Sequence, residues 1–97
     1  MRIDKFLWFV RLTKTRALAQ EIAELGRMRL DGRVIDQAHA RVRPGNVLTF
    51  ALNDRVRVIR VEALPDRRGP APEAQACYTD LSLPQSDPML TQSSIAR

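Results

Sequence analysis

A chain of 97 residues, 44% of them apolar, has enough material for one compact domain but not for two separate cores, so its function is expected to sit on the surface of a single small unit. Sixteen Lys and Arg against 11 Asp and Glu leave a net charge of +5, and all of that excess lies in residues 1–44, where ten basic residues face five acidic ones, the asymmetry of a surface that meets a polyanion. The single cysteine, Cys77, excludes an intramolecular disulfide and a multi-cysteine zinc site, and no apolar run is long enough for a membrane-spanning helix.

Between Arg2 and Val10, Ile3, Leu7 and Val10 recur at i, i+4 and i+7 with Phe6 beside them, which predicts a first helix. Lys5 and Arg11 fall off that stripe. Trp8 lies at its margin, where an aromatic is expected to pack on the core rather than stack on a base. Thr15 is the expected cap of a second helix over Arg16–Leu25, with Leu18, Ile22 and Leu25 as its stripe and Gly26 as its stop. Arg16 and Gln20, four residues apart, make a polar ledge beside the end of the first helix.

After Gly26 the period changes to two. Met28 and Leu30 alternate with Arg27 and Arg29, Asp31-Gly32 reads as a tight hairpin turn, and Arg33-Val34-Ile35 completes a short ribbon. Residues 36–43 lack periodicity and read as a loop. Val47–Leu52 and Arg55–Glu62 predict two more strands joined at Asn53-Asp54, with Val56 and Val58 alternating with arginines and a slip at Ile59 that implies a bulge. Pro65–Pro70 is a break, and Pro72 opens a short helix running to about Tyr78. Pro84–Arg97, rich in Ser, Gln and Pro, is expected to be disordered. The expected fold class is α+β: two packed N-terminal helices on a small twisted antiparallel sheet, a short C-terminal helix and a disordered tail. The expected domains are residues 1–64 as the binding unit, 65–83 as the break and the helix packed on it, and 84–97 as the tail.

Lys5, Arg11, Lys14, Arg16, Gln20, Arg27 and Arg29 are expected to converge on one wall away from the core. Thr15 adds the free amides and positive dipole end of the second helix, and Gln20 can read a base edge or a 2′-hydroxyl. Any one arginine is as readily a solvated surface charge; their clustering is what points to structured RNA. The lone His39 sits in an irregular loop, Cys77 reads as a small apolar residue, and no phosphate loop, dinucleotide fingerprint or zinc spacing occurs, so neither catalysis, cofactor nor metal is expected. Two other classes fit the pattern less well. A helix-turn-helix DNA-binding regulator needs a third helix after Gly26, and a protein-interaction module would set the basic face against an acidic partner.

The stretches Arg2-Ile3-Asp4-Lys5-Phe6-Leu7-Trp8, Lys14-Thr15-Arg16-Ala17-Leu18-Ala19, Ile22 with Gly26, and Leu30-Asp31-Gly32 resemble, in order and spacing, the signature of the S-four, or alpha-L, RNA-binding domain. The resemblance covers about residues 1–52. Within that family the opening, the Lys-Thr-Arg stretch and Arg67-Arg68-Gly69-Pro70 are most similar to the bacterial ribosome-associated heat-shock proteins of fifteen kilodaltons. It implies an alpha-L motif that binds structured RNA, namely ribosomal RNA on the large subunit and the transfer RNA held there, in a cytoplasmic stress or rescue role, as a monomer off the ribosome and without membrane contact. Carried over residue by residue, RNA contact falls on Arg11, Lys14, Thr15, Arg16, Gln20, Arg27 and Arg29, with Lys5 beside them. Members of that branch usually continue into a long basic extension, whereas Pro84–Arg97 is short and nearly neutral, a departure that bears on rescue rather than on RNA binding.

Overall fold

The apolar stripe of the opening residues forms α1 (Ile3–Phe9), with Ile3, Phe6, Leu7 and the C-cap Val10 buried. The computed structural model describes residues 1–82. Helix α1 has no side-chain cap, and the loop over residues 36–43 supplies the acceptors instead. The Ile3 amide donates to the Ala40 carbonyl at 2.7 Å and the Asp4 amide to the Ala38 carbonyl at 3.3 Å, while Val42 N–H donates to the Met1 carbonyl. Ala38 and Val42 are buried, so this loop is part of the core wall. The helix ends where Arg11 turns left-handed (φ 62°), which lets the Leu12 and Thr13 amides both donate to the Leu7 carbonyl.

Thr15 caps α2 (Arg16–Glu24) as its sequence position predicts: its hydroxyl accepts from Leu18 N–H at 3.0 Å. Gly26, at φ 70°, takes the left-handed turn after the helix. The buried stripe is Ala19, Ile22 and Ala23 with Leu18 half-buried; Leu25, expected in it, is exposed, because the helix has already ended at Glu24 and Leu25 is its C-cap.

Five antiparallel strands follow: β1 (Met28–Leu30), β2 (Arg33–Ile35), β3 (Val47–Leu52), β4 (Arg55–Val61) and β5 (Tyr78–Asp80), in the order β2-β1-β3-β4-β5. Two-residue hairpins join β1 to β2 and β3 to β4. In each, both turn residues have positive φ, Asp31 and Gly32 in the first and Asn53 and Asp54 in the second, as the twist of a tight hairpin requires. Asp31 also ties the first turn to β3 by accepting from Val47 N–H and the Asn46 amide. The register between β3 and β4 runs unbroken from Val47↔Arg60 to Leu52↔Arg55, so the bulge expected at Ile59 is absent. Ile59 and Val61 face the core, whereas Val56 and Val58 lie on the other face: four apolar residues in the strand are divided between two faces without any slip.

The C-terminal helix is shorter than expected. Helix α3 (Ala71–Gln75) stops at Ala76, and Tyr78–Asp80 forms β5 instead, paired with β4 through Val61↔Tyr78 and Ile59↔Asp80. The disorder expected for 84–97 lies outside the described residues. One face of the sheet, carrying Met28, Leu48, Phe50, Ile59 and Val61, joins the buried side chains of α1, α2 and α3 in a single hydrophobic core. The other face turns Arg29, Val34 and Val56 to solvent. No helix of the described residues is long and apolar enough to cross a membrane.

Candidate nucleic-acid interface

The two helix starts are tied together by one carboxylate. Asp4 is fully buried in the first turn of α1, and its oxygens accept from Arg2 Nε and Nη2 at 3.1 Å each, from the Lys5 amide at 2.8 Å and from Arg16 Nε at 3.4 Å. Burial pushes the Asp4 carboxyl up, but the Arg2 hydrogen bonds, the Lys5 amide and the Arg16 charge outweigh it and hold the group below its ordinary value of 3.8. Arg16 is therefore committed to Asp4 through one nitrogen while its side chain remains 38% exposed.

Arg11 and Lys14 stand in the turn between the helices. Arg11 is held in its left-handed conformation while its Nε donates to the Gly69 carbonyl at 2.6 Å. Lys14 is exposed and has no ion pair among the described residues. Both line an open cleft of about 310 Å³ that also takes in Leu18 of α2 and the β3–β4 corner at Leu52 and Asn53. Thr15, beside them, spends its acceptor on its own helix. Lys5 lies in α1 with its ammonium 5.2 Å from the Phe9 ring centre, and Gln20 is half-buried on α2.

The expected single wall is thus not formed by all eight residues. The turn brings Arg11, Lys14, Thr15 and Arg16 together by sequence and by the helix ends they occupy. Arg29 pairs in register with Val34 and Thr49 on the face of the sheet that points away from the core, and with Arg27 it lines a second open groove, of about 280 Å³, shared with Val34, Ala51 and Val56. The cause is the strand period: Met28 and Leu30 must turn inward, so Arg29 between them turns outward, on the side opposite the helices. Arg27 and Arg29 have no ion pair among the described residues.

Three participants were not read from the sequence. Asp4 carried no sign of burial beyond its place in the motif. Arg68 lies with its guanidinium carbon 5.7 Å from the Trp8 ring centre and its Nε donating to the Trp8 carbonyl, so half-buried Trp8 is covered on one side by a cation. Asn53 reached the Arg11–Lys14 cleft only through strand pairing. Among the described residues no group of three or more His, Cys, Asp or Glu is placed to hold a metal ion, and His39 is exposed.

The protein-family model described as the S4 domain matches residues 1–48, which are α1, α2, the β1–β2 hairpin and the loop that caps α1. The RQC P-site tRNA stabilizing factor of Bacillus subtilis is 39% identical over 66 residues, covering 68% of this chain and 76% of that protein. This chain belongs to the S4 domain family. Heat shock protein 15 of Escherichia coli K12 is 34% identical over 86 residues, and this S4 chain spans only 59% of its length. The trimeric structure of heat shock protein 15 from Vibrio cholerae superposes with a TM-score of 0.77 at 34% identity, over 82% of this chain and 80% of that one. The S4 match contains every expected contact residue, whereas Leu52, Asn53, Arg68 and Gly69 lie beyond it.

Proposed function

We propose that this S4 protein binds structured RNA without catalysing a reaction, and that its target is ribosomal RNA of the large subunit together with the transfer RNA held there, in a cytoplasmic stress or rescue role. The observation that carries the reading is the state of its cations. Lys14, Arg27 and Arg29 have no carboxylate partner among the described residues, and Arg11 and Arg16 are anchored through one nitrogen each, which leaves donors for phosphate. Neutralising phosphates releases bound counterions, so such a surface gains affinity that falls steeply with salt. The names of the relatives, one a stabiliser of P-site tRNA and one a heat shock protein, support the ribosomal target and the stress context.

In this reading Arg11, Lys14, Thr15 and Arg16 meet the RNA backbone at the helix junction, with Lys5 and Gln20 extending the contact along the helices. Arg27 and Arg29 form a second, separate point of contact around the edge of the sheet. Residues 1–64 hold these groups, and Arg68 and Gly69 of the segment that follows brace them through the Arg11–Gly69 and Arg68–Trp8 hydrogen bonds. The protein acts as a monomer off the ribosome. Against a helix-turn-helix regulator stands the segment after Gly26, which is the β1–β2 hairpin where a recognition helix would have to be.

Competition between a hairpin RNA and duplex DNA of equal length, between about 50 and 200 mM salt, tests the binding mode. Preference for RNA with a steep salt slope is expected; equal affinity for both reduces the protein to a general polyanion binder. Co-sedimentation with large ribosomal subunits, with and without bound transfer RNA, tests the target. Sedimentation of the free protein as a trimer at working concentration would overturn the monomer.

A further inference from the structure

We propose that the cleft bounded by Arg11, Lys14, Leu18, Leu52 and Asn53 receives one unstacked RNA base, adenine by preference, with the adjoining phosphate on Arg11 and Lys14. This rests on the RNA-binding reading above and assigns a specific ligand to part of that surface. The volume, about 310 Å³, lies at the small end of ligand pockets, roughly 300–1,000 Å³, so it accommodates one base and not a helix. Leu18 and Leu52 are both partly buried against the core, which holds them as an apolar wall that a base face can cover without further ordering. Two cations in the lining complement a ligand that is flat and apolar in the middle and anionic at one end. A nucleotide has that shape, whereas a paired helix offers only its backbone and keeps its base faces stacked.

Asn53 supplies the element of choice. The two-residue turn fixes its backbone at φ 53°, and its side chain is exposed, with no hydrogen-bond partner for the carboxamide among the described residues. A carboxamide offers one acceptor and two donors, which match the N6 donor and N7 acceptor of adenine, while guanine presents two acceptors on the same edge. Asn53 lies outside the segment matched by the S4 family model, so this preference is a property of the chain's own β3–β4 corner and not of the domain signature.

The test uses three RNA hairpins with one common stem, carrying a single unpaired adenosine, a single unpaired guanosine or no unpaired residue, with duplex DNA as the reference, in fluorescence anisotropy titrations. The bulged-adenosine hairpin should bind about tenfold tighter than the bulged-guanosine one, the discrimination of one good bidentate base contact, and tighter than the fully paired stem. Asn53→Gly, which tolerates the left-handed backbone, should abolish the preference for adenosine over guanosine, and Asn53→Asp, which keeps an acceptor for the adenine N6–H but loses the donor to N7 and adds a negative charge, should weaken the bulged-adenosine hairpin towards the fully paired stem. Lys14→Gln should weaken all three hairpins. Wild-type protein that binds bulged and paired stems alike, or an Asn53→Gly variant of unchanged urea midpoint that keeps the adenosine preference, overturns the base site while RNA binding stands. Wild-type protein that binds no hairpin better than duplex DNA overturns the RNA reading and the base site with it.

Discussion

Replacing Asp4 by Asn removes a charge that the chain buries completely and surrounds with four donors, Arg2 Nε, Arg2 Nη2, Arg16 Nε and the Lys5 amide. Asn keeps one acceptor oxygen but presents an NH2 group where an arginine already donates, so at least one of these contacts is lost and another becomes donor against donor. Hydrogen bonds to charged groups contribute roughly 1.5–3 kcal/mol each, and breaking a fully buried pair costs about 3–5 kcal/mol. The Arg2 and Arg16 side chains are 43% and 38% exposed, so both cations recover water when the carboxylate goes, and the expected loss is the smaller figure, about 2 kcal/mol. For a domain of this size that corresponds to a melting temperature lower by about 8–16 °C.

The same contacts fix the pH dependence. The carboxyl is held below 3.8 in the folded protein, so its contribution is fully present above the unfolded value and is lost as pH falls through the folded one. Urea unfolding of wild type and Asp4→Asn in parallel should give a constant difference near neutrality that begins to close below about pH 5 and narrows further as the folded group takes up its proton. Glu62 and Asp80 are also held below their ordinary values, but they titrate in both proteins and cancel in the difference. A difference under about 0.5 kcal/mol, the level of ordinary surface substitutions, or one that stays flat into strong acid, refutes the assignment of Asp4 as the tie between the helix starts.

Thr15→Ala removes the cap on α2 and should lower stability by about 1 kcal/mol in denaturant unfolding, while Thr15→Ser, which keeps the acceptor, should not. Asp54 sits at φ 63° in the second position of its turn with no side-chain hydrogen bond among the described residues; Asp54→Gly should raise the urea midpoint by an amount equivalent to about 0.5–1 kcal/mol. Lys14→Gln and Arg29→Gln should each reduce the slope of log affinity against log salt by about 1 with unchanged unfolding midpoints, since neither makes an ion pair among the described residues. Arg11→Ala differs from them: it gives up the hydrogen bond to Gly69, so thermal melting should register it, by about 1 kcal/mol, as well as the RNA titration.

What the sequence by itself determined is what depends on neighbours within about four positions. The α1 stripe, the Thr15 cap, the Gly26 stop and the turns at Asp31-Gly32 and Asn53-Asp54 are local conformational choices, and each is formed where its residues specify it. Tertiary structure decided whatever depends on a partner far along the chain. Asp4 became a buried hub only because Arg16 returned to it across the interhelical turn, and residues 36–43, featureless as a pattern, cap α1 because pairing carries them back to it. Alternation told that Arg29 turns away from Met28 and the core, but not that the interhelical turn carrying Arg11 and Lys14 lies on the other side of the sheet, so the cations divide between the helix junction and the far face of the sheet. Strand β5 and the Asn53 edge of the cleft likewise came from pairing with β4, because backbone hydrogen bonds between strands leave no periodic mark on the segment that joins last.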